Sequence, residues 1–322
     1  MRIGKLDNAA LDRLILSKFE SKREEVICSP QIGADCAAVN FGDKIAVFST
    51  DPITAASNNI GRLTVCVSCN DAAAAGAEPI GLLVTVLAPE SVTEIELDEL
   101  ASEIAIAAKE ANVDIIGGHT EVTTAVNRIV TSATVIAKTI NDRPIEASRD
   151  MRIGNSLVMT KHAGLEGMSI IAADHFERIA DYVSQNEREE LLSWSLHTSV
   201  VPEGKFAAIN GATGMHDVTE GGILGAAWEM GYSAGLGIEI DLSKIPLRSI
   251  TRRIASALNI DPYKLISSGC MLISCDDGEK MVEGLASIGI EAAVIGRVIE
   301  SGAFLTDGRK ISPPTADEIY KL

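Results

Sequence analysis

Basic residues are scarce in this chain: 28 Lys and Arg stand against 45 Asp and Glu, for a formal net charge of -17. A nucleic-acid partner needs a basic face to neutralise its phosphates, so the balance argues against DNA or RNA. Aromatics make up only 4% of the residues, which argues against a platform for stacked bases. Apolar runs long enough to span a bilayer are lacking, and residues 1–7 carry no apolar signal core, so a cytoplasmic protein without membrane contact is expected. The six cysteines in 322 residues mostly have small or apolar neighbours and read as reduced core thiols, not as a disulfide framework. Cys66 and Cys69 form a C-x-x-C pair, but no second pair and no H-E-x-x-H spacing exists to complete a zinc site, so packing is the better reading. A repeat at a fixed short period is also missing, which excludes a solenoid.

The chain is 46% hydrophobic and long enough for two domains. Helical spacing is expected over residues 7–19, 94–111, 222–232 and 277–288, and an Ala-rich helix over 60–75 stopped by Gly76. Compact apolar or alternating runs predict strands at 44–49, 80–87, 113–116, 128–138, 156–160, 237–240, 271–274 and 292–297. Strands and helices are interspersed, as in an α+β protein, with a polar break at 141–151 between the halves.

Against this background four aspartates sit in small-residue or polar settings that read badly as core. They are Asp35 in Gly33-Ala34-Asp35-Cys36-Ala37, Asp51 before Pro52, Asp71 after Asn70 within the Ala-rich helix, and Asp217 in Asp217-Val218-Thr219-Glu220-Gly221-Gly222. Hard divalent cations such as Mg2+ take one or two carboxylates each plus waters and substrate phosphates, so carboxylates from distant segments suit a polyphosphate-metal site. Taken singly, Asp217 reads as well as a helix N-cap, and the helix it opens offers its amide end to an anion. Gly117 and Gly118 follow a short apolar run and read as a strand-end turn whose amides meet phosphate, or as an ordinary glycine turn with His119 exposed. Lys161 follows a strand and is a weaker candidate for reaching phosphate.

The motifs around Asp35, Thr50-Asp51, Asn70-Asp71 with Gly76-Ala77-Glu78-Pro79, Gly117-Gly118-His119-Thr120 and Asp217 to Gly222 occur in an order and spacing that resembles a known superfamily. It comprises aminoimidazole ribonucleotide (AIR) synthase, selenophosphate synthetase, thiamine-monophosphate kinase and the HypE-type hydrogenase maturation factor. The resemblance implies a PurM-like two-domain α+β architecture. Residues 1–148 would form an N-terminal domain for ATP, metal and dimerisation, its strands pairing with a second subunit into a barrel; residues 149–322 would form the C-terminal domain. It further implies a homodimer and ATP with Mg2+ in the cleft between the domains. Asp35, Asp51, Asp71 and Asp217 would bind metal and phosphate, Gly117, Gly118, His119 and Thr120 would line the nucleotide, and Asn70 would support the phosphates.

The branches differ in the acceptor of the activated phosphate. Selenophosphate synthetases carry a reactive Cys or selenocysteine and a Lys in an N-terminal glycine-rich loop, which nothing before Asp35 provides. Thiamine-monophosphate kinases usually have Asp where this chain has His119. HypE-type factors match best through 49–79 and 217–222, yet they act on a cysteine at their own C-terminus, where this chain has Tyr320-Lys321-Leu322. The expectation is a HypE-like, AIR-synthase-related enzyme that uses ATP and Mg2+ to activate or phosphorylate a small-molecule or carbamoyl-type acceptor. The alternatives are a nucleotide-binding accessory protein in hydrogenase or other metalloenzyme maturation, and a phosphotransferase like the kinase or the selenophosphate synthetase.

Overall fold

The computed structural model describes residues 26–28, 36–42, 45–54, 58–141, 150–314 and 316–322. The helix expected over 7–19, Asp35, and the expected boundary at 148/149 lie outside the described residues. Twelve described strands form two six-stranded sheets. The first contains β1 (Val26–Cys28), β2 (Ala37–Asn40), β3 (Ile45–Ile53), β4 (Ala77–Ala88), β5 (Asp114–Val122) and β6 (Val130–Thr139), in the order β1-β2-β3-β6-β4-β5. The second contains β7 (Ser156–Thr160), β8 (Ala212–Asp217), β9 (Gly237–Ile240), β10 (Met271–Cys275), β11 (Ala292–Ile299) and β12 (Ala303–Leu305), in the order β12-β9-β11-β7-β10-β8. The helices are α1 (Ile60–Ala74), α2 (Glu94–Ala111), α3 (Leu165–Asp174), α4 (Phe176–Ile179), α5 (Gln185–Ser193), α6 (Val201–Ile209), α7 (Gly222–Ala234), α8 (Ser249–Leu258) and α9 (Gly278–Ser287).

Most of these elements follow from local chemistry. Helix α2 opens on a capping box, in which Thr93 and Glu96 satisfy each other's amides, and closes on Asn112 in the left-handed region. Gly76, at φ +69°, turns the chain from α1 into β4. Helices α1 and α2 pack on each other, and α1 lies against β3, β4 and β6. One core, including Val65, Cys69, Leu82, Ile104 and Val135, fills this layer. A larger one, including Leu157, Met168, Ile223, Ile240 and Leu272, lies against the second sheet.

A third cluster joins the two sheets and decides where the site falls. Ala73 and Ala74 at the end of α1 pack with Val158, Ala207, Met215 and Ile273. The approach is close because both sides are small: a Cβ at Gly204 of α6 would lie 2.9 Å from the Cβ of Ala73. The Ala-rich run of α1 therefore serves a helix that is covered by both sheets.

Two expectations need correction. Strand β3 does not stop before Asp51 but runs to Ile53, with Asp51 opposite Ala133 and Pro52 opposite Ser132. Beyond Phe48 β6 is the strand that pairs with it among the described residues. Nor does the chain turn at Gly117 and Gly118. Both lie inside β5, paired with Leu83 and Val84 of the parallel neighbour β4. Gly118 has φ +150°, and a Cβ there would lie 1.9 Å from the Val84 carbonyl oxygen, so the glycine permits close strand approach rather than a turn.

Candidate functional site

Asn70 and Asp71 occupy the last turn of α1, and both are buried. Asn70 spends its amide on the second half of the chain: Nδ2 donates to the Thr198 carbonyl at 2.8 Å, and Oδ1 accepts from the Val200 amide at 2.8 Å. In this structure the Asn70 side chain thus clasps the 198–200 backbone. Asp71 accepts a hydrogen bond through Oδ2 from the hydroxyl of Ser49 on β3. Two residues further along the same strand, and so on the same face, stands the half-buried Asp51.

Asp217 comes from the other sheet, at the end of β8 where it pairs with Met271. It is only 2% exposed. The cap reading is corrected here: α7 begins at Gly222, its N-cap is Gly221 at φ +85°, and no side chain caps it. The Gly221 amide instead donates to Oδ2 of Asp317 at 2.8 Å, so an internal carboxylate takes the place expected for an external anion. A Cβ at Gly222 would lie 2.6 Å from the Tyr263 carbonyl oxygen, which accounts for the second glycine. The neighbouring His216 donates from Nδ1 to the Asp217 carbonyl at 2.6 Å, and its Nε2 lies 3.4 Å from Glu229.

Asp51, Asp71 and Asp217 meet in one cleft of about 310 Å³, lined also by Glu166, Asp174 and Glu220. Among the described residues that line it there is no lysine or arginine. Like charges gathered without a cation are costly, and a bound cation relieves that cost. No three metal-ligating side chains among the described residues are close enough to form a ready-made metal cage. Mg2+ takes one or two carboxylates, which Asp51, Asp71 and Asp217 can supply, and completes its octahedron with water and phosphate oxygens. The residues present therefore fit the ion that the motifs imply.

Glu166 was not singled out from the sequence. It sits on α3, is 6% exposed, and its Oε2 has no hydrogen-bond partner among the described residues. Burial pushes its carboxyl up to about 7, with hydrogen bonds from Ser268 opposing and the charge of Asp317 adding to the rise. Asp317 is itself pushed up to about 6 by burial, against the pull of backbone amides including Ile319 and Gly221. A carboxyl between Leu165 and Gly167, with no Lys or Arg within one helical turn, was the available signal.

The other candidates lie elsewhere. Gly117, Gly118, His119 and Thr120 stand on the exposed β5 and do not line the cleft, and His119 Nε2 is 3.1 Å from Glu121. Lys161 is committed: its Nζ donates to the carbonyls of Ser199 and Gly269 and to Glu203 Oε1, each at 2.7 Å. Cys66 and Cys69 are buried in α1, and burial raises both thiols, which keeps them protonated and fits the packing reading. No described helix is long and apolar enough to cross a membrane.

Two six-stranded sheets joined through a shared small-residue core, with carboxylates from both converging on one cleft, define a PurM-like two-domain α+β protein. The chain belongs to the AIR synthase-related family: residues 33–139 match its N-terminal domain and residues 152–307 its C-terminal domain. A Methanocaldococcus jannaschii protein ascribed to hydrogenase expression and formation is 31% identical over 81% of this chain and 78% of its own length. The carbamoyl dehydratase HypE of Rhodobacter capsulatus is 26% identical over 84% of this chain and 79% of its own. Among solved structures, a HypE–HypF complex matches with a TM-score of 0.77 at 21% identity, covering 95% of this chain and 100% of that one. AaThiL complexed with AMPPCP and TMP matches with a TM-score of 0.78 at 20% identity, covering 98% of each.

Proposed function

We propose that this protein is an ATP- and Mg2+-dependent enzyme that activates or phosphorylates a small-molecule or carbamoyl-type acceptor. The nucleotide phosphates lie between Asp51 and Asp71 on one side and Asp217 on the other; Asp35 is a further proposed ligand of the metal. The observation that carries this reading is the convergence of carboxylates from both sheets on a cleft without Lys or Arg among its described lining. An anionic triphosphate enters such a cleft only together with countercharge, and Mg2+ when bound supplies it, neutralising the charge that develops on the phosphoryl oxygens. The chain's own residues position. Ser49 orients the Asp71 carboxylate, and the Asn70 clasp holds Asp71 in register with the second sheet. Phosphoryl transfer rests on such alignment more than on a protein nucleophile. The AMPPCP complex of AaThiL and the carbamoyl dehydratase activity in the name of HypE support the reading.

In this reading residues 1–148 and 149–322 are the two functional units, and the protein is a cytoplasmic homodimer. Strand β5 is exposed along its length, with Ile115, Ile116 and Val122 uncovered beside Leu83 and Ile80 of β4, which suits a second copy. Gly117, Gly118, His119 and Thr120 of one copy then serve the nucleotide of the other. A second reading, an accessory protein that docks on a maturation partner, is favoured by the HypE–HypF assembly of the structural neighbour.

Calorimetric titration with AMPPCP and Mg2+ tests the first reading. Asp71→Asn and Asp217→Asn are each expected to weaken Mg2+-dependent binding by at least about ten-fold, the worth of one charge-assisted contact. Wild-type affinity in both variants would falsify the placement. ATP turnover by the purified protein alone removes the second reading.

A further inference from the structure

Lys161 directly follows β7 and is one of four described residues other than glycine in the left-handed region, at φ +55°. The other three are asparagines, the type whose short polar side chain tolerates this region. A lysine is strained there, and such strain persists where the surroundings hold it. The far end of the side chain does the holding. Nζ donates to the Ser199 carbonyl, the Gly269 carbonyl and Glu203 Oε1, each at 2.7 Å, which uses all three ammonium protons. None is left for a phosphate, so the lysine acts inside the protein.

Each of the two carbonyls belongs to a segment that supports a cleft aspartate. Ser199 lies between Thr198 and Val200, whose carbonyl and amide are the partners of Asn70, the neighbour of Asp71. Gly269 precedes Cys270, whose carbonyl takes the amide of Val218 at 2.9 Å, and Val218 is the neighbour of Asp217. Met271, next along, pairs with Asp217 itself, and Ser268, one residue before Gly269, lines the cleft. The two segments also touch: Gly269 has φ +103°, and a Cβ there would lie 2.6 Å from the His197 carbonyl oxygen. Two carbonyl oxygens and a carboxylate oxygen aimed at one point repel one another. The ammonium between them turns that repulsion into a tie.

We propose that Lys161 is a positioning residue of the aspartate cleft: its ammonium ties segment 198–200, which holds Asn70 beside Asp71, to segment 268–271, which holds Asp217. The inference rests on the nucleotide reading above for what the cleft binds, and on the hydrogen bonds alone for the tie. It gives a role in binding to a residue that touches neither nucleotide nor metal.

The test has two arms. Calorimetric titration with AMPPCP and Mg2+ reads affinity, and the 13Cγ NMR signals of Asp71 and Asp217 in nucleotide-free protein read the tie. Lys161→Met combined with Glu203→Met removes the ammonium together with its counter-charge, a paired replacement that is often neutral for stability. It is expected to shift both aspartate signals and to weaken Mg2+-dependent binding by at least about ten-fold, since misplaced contact groups lose most of their worth. Lys161→Arg keeps the charge beside Glu203, yet its planar fork does not fit three acceptors arranged around an ammonium. It is expected to shift both signals and to weaken binding by about three-fold, and it carries the comparison if the double variant does not fold. Val298→Ala, which trims a buried β11 side chain, controls for general loss of stability and is expected to do neither. Unshifted aspartate signals in folded Lys161 variants, or shifts and losses equalled by Val298→Ala, would overturn the proposal. If the wild type binds no AMPPCP, the nucleotide reading alone fails, and the aspartate signals still decide the tie. If the wild type binds it and the Lys161 variants bind it equally well, the positioning role alone fails.

Discussion

Glu203 and Glu166 are both buried carboxylates from the second half of the chain, on α6 and α3, and they keep different company. Glu203 faces Lys161, whose ammonium spends its three protons on one carboxylate oxygen and two carbonyls. Glu166 lies near Asp317 and Glu220, and the cleft that it lines with the aspartates has no lysine or arginine among its described residues. The Lys161 ammonium is closed within the protein and holds β7 to the loops at 199 and 269, while Glu203 Oε2, like Glu166 Oε2, has no hydrogen-bond partner among the described residues. Glu166 is relieved by a proton, since burial pushes its carboxyl up to about 7. Buried charge paired with a cation belongs to the scaffold, and a buried carboxyl without one is held neutral to higher pH.

The largest effect expected from breaking this contrast is on the closed side. Glu203→Ala strands the Lys161 ammonium and is expected to cost about 3–5 kcal/mol in urea unfolding, the range for removing one partner of a buried pair. A loss under about 1 kcal/mol would place Glu203 among ordinary surface acids.

On the open side the effect has the opposite sign and follows pH. The folded Glu166 carboxyl titrates near about 7 against an ordinary 4.5, so the native protein keeps a proton that the unfolded chain releases between those values. Its contribution is complete below pH 4.5 and is lost as pH rises through about 7. Glu166→Gln never carries the charge, so its stability relative to wild type is expected to rise by roughly 3 kcal/mol between pH 4.5 and 8, read from paired unfolding curves. Burial holds His162 down at about 4, which has the reverse sign, but that residue is common to both proteins and cancels. A flat difference across this range would mean that Glu166 is solvated.

A smaller effect sharpens the comparison at the joint between the sheets. Asn70→Ala removes two hydrogen bonds and leaves the Thr198 carbonyl and the Val200 amide to find other partners, for an expected loss of about 2 kcal/mol by thermal unfolding. Wild-type stability would show that the clasp is dispensable.

Much of the scaffold could be read from residues alone, because caps, alternation and glycine stops act locally. Thr93 with Glu96 starts α2, Gly76 ends the α1 turn, and the expected strands at 156–160 and 271–274 agree with β7 and β10 to within one residue. The readings that failed are those in which one residue type answers two needs. Gly118 has the same composition signal whether it serves a turn or a close parallel pairing with Val84, and only the neighbouring strand distinguishes them. Pro52 reads as a strand end from sequence, yet β3 runs on to Ile53 because β6 pairs with it there, Pro52 opposite Ser132. Asp51, Asp71 and Asp217 were legible as out-of-place carboxylates, whereas the lack of Lys and Arg among the cleft's described lining was not, since Lys161 is a strand-end lysine that tertiary packing turns inward.

Asn70 and Asp71 are consecutive, yet one side chain grips the second sheet's connecting backbone while the other joins Ser49 in the cleft. In mechanical terms α1 is a dowel. The end of α1 is pinned on both sides, so sliding one sheet against the other must first break the Asn70 clasp.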